Sequence, residues 1–143
     1  MVGHRRDADL PDDAVARLRE AGLRPTRQRR RLADLLFRQG DRHVTAELLH
    51  QEADESGFHV SLATVYNTLH QFTAAGLLRQ VVVDSSRKYF DTNTGPHQHF
   101  YDEAEGRLTD IAGDDITVSG LPAPPAGMAV ASVDVVVRLR PAR

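Results

Sequence analysis

Apolar residues recur at helical spacing in four segments of the N-terminal half of the chain. A side chain able to cap a helix precedes each segment and a glycine follows it, which is the usual pattern at the two ends of a helix. The expected caps and closing glycines are Asp12 or Asp13 with Gly22, Thr26 with Gly40, Thr45 with Gly57, and Ser61 with Gly76. Residues 1–11 lack this periodicity and are predicted to form a flexible N-terminal arm.

The fourth of these segments has two distinct faces. Its apolar residues are spaced three or four apart and form one stripe, made of Leu62, Val65, Leu69 and Phe72. The opposite positions are Ala63, Asn67, His70 and Ala74. A helix face that is merely solvated usually carries Glu and Lys, whereas this face carries neither. The pattern indicates a helix with a small, uncharged outer surface.

The period of the pattern changes after Gly76 from that of helices to that of strands. Two apolar stretches, Leu78–Val83 and Lys88–Phe90, flank the turn residues Asp84–Arg87 and predict a hairpin. Three helices, a recognition-type helix and a hairpin follow one another in the order of a winged helix-turn-helix. We therefore predict a winged-helix DNA-binding domain over residues 12–92.

The remainder of the chain predicts a second, smaller domain. The pattern predicts a linker at residues 93–96 and an α/β domain at residues 97–143. Its expected elements are strands at His97–Tyr101, Arg107–Ile111 and Ala131–Leu139, and a short helix near Asp114–Ser119. A domain this small is hard to stabilise alone, so we expect it to pair with a second copy in a homodimer or a higher oligomer. The fold class is α+β, a winged helix-turn-helix followed by a dimerisation domain.

Charge is unevenly distributed along the chain and cysteine is absent. Residues 17–42 contain nine arginines against three acidic residues, whereas residues 91–143 carry four basic and eight acidic side chains. Clustered cations attract polyanions, which favours nucleic acid as a partner of the N-terminal half. The lack of cysteine excludes disulfides, thiolate zinc sites and thiol nucleophiles. We expect a cytoplasmic protein without membrane association.

Histidines and acids suggest a metal site. His97 and His99 are separated by one residue, so on a strand both imidazoles project from the same side. Asp91 stands at the end of the hairpin and Asp110 on the next expected strand, while His43 opens the third helix. Taken alone, the histidine pair is a weak signal, because surface or packing roles account for such a pair more often than metal binding does.

Four segments of the chain form a distinctive set: G-L-R-P-T-R-Q-R from Gly22, H-V-T-A-E from His43, S-L-A-T-V-Y-N-T-L from Ser61, and G-L-L from Gly76. Together they resemble the ferric uptake regulator family of bacterial repressors. Within that family, Gly57–Leu78, Y-F-D-T-N from Tyr89 and the ending Val133–Arg140 are similar to the cysteine-free iron response regulator branch. The resemblance implies a winged helix joined to an α/β dimerisation domain.

The resemblance also implies a regulatory metal site with five ligands, namely His43, Asp91, His97, His99 and Asp110. Nitrogen and oxygen donors of this kind suit one iron, manganese or zinc ion per chain. Asp102 and Glu105 occupy the positions of the first cysteine pair of a structural zinc site found in many relatives, so that site is not expected. Gln98 stands where the branch shows a middle histidine, which leaves His97 and His99 as the haem ligands to consider.

The helix from Ser61 is expected to enter the major groove of a double-stranded DNA operator. Tyr66 can stack on thymine methyl groups, and Asn67 can contact either an adenine edge or a phosphate. Ser61 and Thr64 are suited to phosphate contacts, and Lys88 at the hairpin is suited to a wing contact. The resemblance adds a minor-groove role for Arg24 and a backbone contact for Arg29. For the neighbouring Arg30 and Arg31, simple solvation of a helix is an equally good interpretation.

These features predict a metal-dependent, sequence-specific transcription regulator of iron or haem homeostasis rather than an enzyme. The metal would fix the distance between two recognition helices, which must match half-sites in successive major grooves. One alternative lies in the same family: a peroxide-sensing repressor in which a ligand histidine is oxidised. A remote alternative is a metal-dependent hydrolase that uses His97, His99 and Asp110 with an activated water.

Overall fold

The computed structural model describes residues 12–143 and divides the chain into two compact units, one ending at Thr94 and the other beginning at Gly95. The arm predicted for residues 1–11 lies outside the described residues. The elements are α1 (Asp12–Glu20), α2 (Arg27–Phe37), β1 (His43–Val44), α3 (Ala46–Glu55), α4 (Leu62–Ala74), β2 (Arg79–Val82), β3 (Lys88–Asp91), β4 (His97–Asp102), β5 (Arg107–Ala112) and β6 (Val136–Leu139). The mixture of helices and sheets expected from the sequence is confirmed.

The predicted caps start three of the four helices. The hydroxyl of Thr26 accepts a hydrogen bond from the backbone N–H of Arg29, and Thr45 and Ser61 make the same contact with the residue three positions ahead of each. These bonds satisfy N–H groups that have no partner inside the helix. The caps thus fix where α2, α3 and α4 begin.

The core of the first unit lies beneath the predicted stripe of α4. Val65, Leu69 and Phe72 are fully buried, and they belong to one apolar cluster with residues of α1, α2, α3 and β3. Burying a side chain of this size stabilises the fold by about 1.5–3 kcal/mol. The positions expected on the other face, Ala63, Asn67, His70 and Ala74, are exposed as predicted.

The three strands of the first unit form an antiparallel sheet in the order β1-β3-β2. Strand β1 was not predicted, since His43 was assigned to the entrance of the third helix. Instead, His43 pairs directly with Asp91 and Val44 pairs with Phe90. A strand of two residues is too short to show a period, so only its partner strand reveals it.

The second unit contains a sheet in the order β5-β4-β6, in which β4 is antiparallel to β5 and parallel to β6. The helix expected near Asp114–Ser119 is absent from this unit, and a turn followed by irregular chain takes its place. Ile116, Thr117 and Val118 are β-branched, and so short a helix is marginal even with favourable residues.

The last strand is shorter than the alternation of residues 131–139 predicted. Strand β6 begins at Val136, where its pairing with β4 starts opposite His99. The residues directly before it, 131–135, are irregular, although the Val135 carbonyl still accepts the backbone N–H of His99 at 3.2 Å. None of the four helices of residues 12–143 has the length and apolar composition required to cross a bilayer.

Candidate metal centre and nucleic-acid interface

One pair of candidate ligands lies within the first unit. Because His43 and Asp91 are direct cross-strand partners, their side chains meet, with His43 Nε2 3.3 Å from Asp91 Oδ2. The other carboxylate oxygen of Asp91 accepts the backbone N–H of Asn93 at 2.9 Å. The Asp91 side chain is only 1% exposed. One of its oxygens is therefore fixed by the backbone, while the other faces the imidazole.

The second unit brings together three further candidates. Asp110 lies opposite His99 in the β4–β5 register, and Asp110 Oδ1 is 3.6 Å from His99 Nε2 and 3.7 Å from His97 Nε2. The two imidazoles share one side of β4, as predicted, with ring centroids 4.6 Å apart. Each of the three residues offers a ligand atom within 4.8 Å of the other two.

A backbone carbonyl fixes the tautomer of His97. Its Nδ1 lies 2.7 Å from the carbonyl oxygen of Gly95. A carbonyl can only accept a hydrogen bond, so Nδ1 carries the proton and donates it. The lone pair of the neutral ring is then on Nε2, the atom that faces Asp110. This is the arrangement by which backbone groups orient histidine ligands in metal sites.

Both sets of donors have spacings that fit a divalent transition ion. Two ligand atoms that are each about 2.1 Å from one ion, at tetrahedral to trigonal angles, lie about 3.4–3.6 Å apart. The observed separations of 3.3, 3.6 and 3.7 Å are close to that range. Imidazole nitrogen and carboxylate oxygen suit iron, manganese and zinc. Asp110 is 40% exposed, so its carboxylate is accessible to an ion arriving from solvent.

Two residues next to the candidate ligands, Gln98 and Gly113, shape this part of the second unit. The side-chain oxygen of Gln98 accepts the backbone N–H of Val135 at 2.7 Å and thereby supports the approach to β6. Gly113 passes so close to the preceding loop that a Cβ atom there would lie 2.6 Å from the carbonyl oxygen of Pro96. Only a glycine fits this approach without displacing the bend before His97.

The predicted DNA-reading residues lie at the start of α4 and on its outer face. Ser61 and Thr64 are joined by the helix cap, with their hydroxyl oxygens 3.0 Å apart. The Tyr66 hydroxyl donates to Glu47 Oε1 on α3 at 2.9 Å. This hydrogen bond, together with burial and the charge of Glu47, raises the pKa of Tyr66. Asn67 is exposed, and Glu47 is a neighbour that the sequence alone did not identify.

Some arginines of residues 17–42 have partners within the first unit, and others are exposed to solvent. Arg29 donates to the Arg24 carbonyl at 3.0 Å and to Gln71 Oε1 of α4 at 3.2 Å. Arg31 is buried, with its guanidinium 5.1 Å from the centroid of the Phe58 ring, so it packs inside the unit rather than merely solvating α2. Arg24 and Lys88, in contrast, are exposed.

Comparison with known proteins identifies the class. The model of the Ferric uptake regulator family matches residues 20–137. The peroxide-responsive repressor PerR of Staphylococcus aureus is 32% identical over 100 residues, which are 70% of this chain and 67% of that protein. The ferric uptake regulator from Pseudomonas aeruginosa, solved with manganese, superposes with a TM-score of 0.70 at 26% identity and covers 91% of this chain and 98% of its own.

A third comparison supports the fold alone. The Campylobacter jejuni peroxide stress regulator superposes with a TM-score of 0.58 at 19% identity, over 92% of this chain and 96% of its own. The chain therefore belongs to the ferric uptake regulator family, whose members are dimeric, metal-dependent regulators of transcription that bind DNA. These proteins are regulators and not enzymes, so the hydrolase alternative has no support among them.

Proposed function

We propose that this protein is a metal-dependent, sequence-specific DNA-binding regulator of iron or haem homeostasis. The observation that carries the proposal is the presence, in one chain of this family, of two donor sets with metal-like spacing and a helix with an uncharged outer face. The iron or haem signal rests on the resemblance to the iron response regulator branch. The regulator acts on DNA through α4 and responds to an ion held by the five ligands.

The domain assignments are part of this proposal. Residues 12–92 form the winged-helix DNA-binding domain, residues 93–96 the linker and residues 97–143 the dimerisation domain. Large apolar side chains stay exposed in the second unit of a single chain, and a second copy is proposed to cover them: Phe100, Val118, Leu121, Met128, Val130 and Leu139. Sedimentation equilibrium of the full chain tests this, with a dimer mass expected and a monomer mass contradicting it.

In the proposed metal site, all five donors bind one ion. The bound ion supplies a fixed positive charge that joins imidazole and carboxylate ligands. Within the chain, the Gly95 carbonyl holds His97 with Nε2 available, and the Asn93 N–H holds Asp91 with one oxygen available. Asp110 supplies a further carboxylate beside His97 and His99. An ion that joins ligands from both units would favour one arrangement of the two α4 helices in the proposed dimer.

Elemental analysis tests the site. Purified protein loaded with Mn(II) or Zn(II) is expected to retain one ion per chain, and the double variant His97→Ala with His99→Ala is expected to retain none while remaining dimeric. His59→Ala is the matched control, because His59 is exposed and pairs with Asp54 away from the candidate ligands. Full metal retention by the double variant would place the site elsewhere.

Binding to DNA tests the reading helix. An operator is first selected from random duplexes with the metal-loaded protein. Tyr66→Ala is then expected to weaken binding to that operator by about 1–3 kcal/mol, with a smaller loss on random DNA, because base contacts carry the discrimination. An equal loss on both duplexes would contradict base reading by Tyr66.

Haem binding would involve His97 or His99. His97 and His99 are 4% and 1% exposed, so a macrocycle reaches either imidazole only after the surrounding chain moves. Haem titration followed by absorption spectroscopy tests this ligation: a histidine-bound haem spectrum that is lost in the double variant would support His97 or His99 as a haem ligand. An unchanged spectrum in that variant would exclude both residues as haem ligands.

The similarity to the Staphylococcus aureus peroxide-responsive repressor favours a second candidate function, peroxide sensing. In that case the Fe(II)-loaded protein would add one oxygen atom to a ligand histidine after exposure to peroxide. Peptide mass spectrometry distinguishes the two functions: oxygen incorporation at His43 or His97, with loss of operator binding, supports the peroxide sensor. Unmodified histidines with DNA binding controlled by iron or haem support the main proposal.

A further inference from the structure

The short strand β1 carries a candidate ligand but has little strand pairing of its own. It consists of His43 and Val44 only, whereas strands in proteins usually have at least about three residues. The residues that flank the ligand pair extend this contact. Arg42 precedes His43 and Thr92 follows Asp91, and the Thr92 N–H donates to the Arg42 carbonyl at 3.0 Å. The Arg42 N–H in turn donates to the Thr92 hydroxyl at 2.8 Å.

The side chain of Arg42 connects this strand to two helices. Its Nη1 and Nη2 atoms donate to the two carboxylate oxygens of Glu52 on α3, at 3.0 and 2.6 Å. Nη1 also donates to the carbonyl of Leu35 on α2 at 3.3 Å. The Arg42 and Glu52 side chains are 21% and 26% exposed, so solvent screens the pair less than a surface ion pair. A forked arginine–carboxylate pair also fixes orientation, which a single contact does not.

We propose that Arg42, Glu52 and Thr92 are positioning residues that hold His43 opposite Asp91 before an ion arrives. The inference rests on the proposed function, in which His43 and Asp91 are ligands. With these contacts in place, the ion meets two ligands already 3.3 Å apart. Without them, binding must also order the strand, and the ion affinity falls by that cost. Loss of such supporting contacts typically lowers metal affinity about 10- to 100-fold.

The chain offers a matched control for the arginine. Arg38 lines the same surface cavity as Arg42 and also pairs with a carboxylate, that of Asp34, at 3.7 Å. It lies beyond the end of α2 and has no hydrogen bond to β1. Replacing Arg38 by lysine therefore makes the same chemical change a few residues away without touching the ligand strand.

The test uses both units of the chain together and Co(II), whose visible absorption reports coordination geometry. Arg42→Lys, Glu52→Gln and Thr92→Val are each expected to weaken Co(II) binding about 10-fold or more and to change the absorption bands. Arg38→Lys and Thr92→Ser, which keeps the hydroxyl, are expected to match the wild type. Because Arg42 and Glu52 act as a pair, their double variant is expected to lose no more affinity than either single variant.

Thermal unfolding of the metal-free variants separates positioning from general stability. The positioning variants are expected to unfold close to Arg38→Lys when no metal is present. Co(II) affinity and spectra that match the wild type in all three variants would overturn the inference, as would an equal loss in Arg38→Lys. His43→Ala makes failures distinguishable: if it binds Co(II) as tightly as the wild type, the proposed metal site itself is wrong and this inference fails with it.

Discussion

Arg24 provides a sharp test of the DNA-binding proposal. Its side chain is exposed, and its guanidinium has no hydrogen-bond or ion-pair partner among residues 12–143. Replacement by glutamine keeps a polar side chain and removes the charge. A cation placed in the minor groove lies between the two phosphate backbones and displaces counterions as a phosphate contact does, at about 0.9 in the slope of log affinity against log salt, so a dimer that loses two such cations loses about 1.8. Between 0.05 and 0.2 M salt, the wild type should therefore lose about 12-fold more affinity than Arg24→Gln.

Fluorescence anisotropy with a selected operator, repeated at several salt concentrations, measures this slope. Arg107→Gln is the control, because Arg107 is also exposed and its guanidinium has no hydrogen-bond or ion-pair partner among residues 12–143, but it begins β5 in the second unit. Its slope is expected to equal that of the wild type. A wild-type slope for Arg24→Gln would refute the contact. Equal changes in both variants would show that overall charge, rather than a local contact, controls the affinity.

Three further outcomes are expected. Asp91→Asn should lower Mn(II) affinity by at least about tenfold in an equilibrium titration, because the amide keeps the backbone contact but loses the ligand charge; unchanged affinity would exclude Asp91 as a ligand. The hydrogen bond to Glu47 raises the pKa of Tyr66, so its stabilising effect is complete below pH about 10 and is lost as the pH rises further. A near-ultraviolet absorbance titration should show one tyrosine titrating earlier in Glu47→Gln, and identical curves would contradict this contact. Gly113→Ala should destabilise the fold by about 1–3 kcal/mol in chemical denaturation, because its Cβ would overlap the Pro96 carbonyl; wild-type stability would mean that the loop adapts.

Local sequence signals predicted much of the first unit. Thr26, Thr45 and Ser61 were assigned as caps, and each accepts the expected backbone hydrogen bond. Helical periodicity predicted the stripe and the outer face of α4. In the second unit, the period of strands predicted that His97 and His99 share one side of β4. These features depend on residues a few positions apart, where backbone geometry alone decides which side chains share a face.

Features that depend on distant partners were not predictable in the same way. His43 lies opposite Asp91 only because a two-residue strand pairs across 48 positions of sequence, which no local pattern encodes. Strand β6 begins only at Val136, where its pairing with β4 begins. The alternation of apolar and polar residues starts earlier, at Ala131, and by itself predicted a longer strand. The partners of Tyr66 and Arg42 lie on α3, and only the packing of helices and strands identifies Glu47 and Glu52.

Helix α4 contains no Asp, Glu, Lys or Arg. The strength of DNA binding and the choice of DNA sequence would therefore depend on different residues of this protein. Cations outside the helix would set how strongly any duplex is held, while neutral side chains on its outer face would set which duplex is preferred. Substitutions at the exposed positions of α4 would then direct the protein to other promoters, while its overall affinity for DNA stayed nearly constant. A duplicated copy of such a gene could acquire new targets by a few substitutions on one helix, while its response to the metal signal stayed intact.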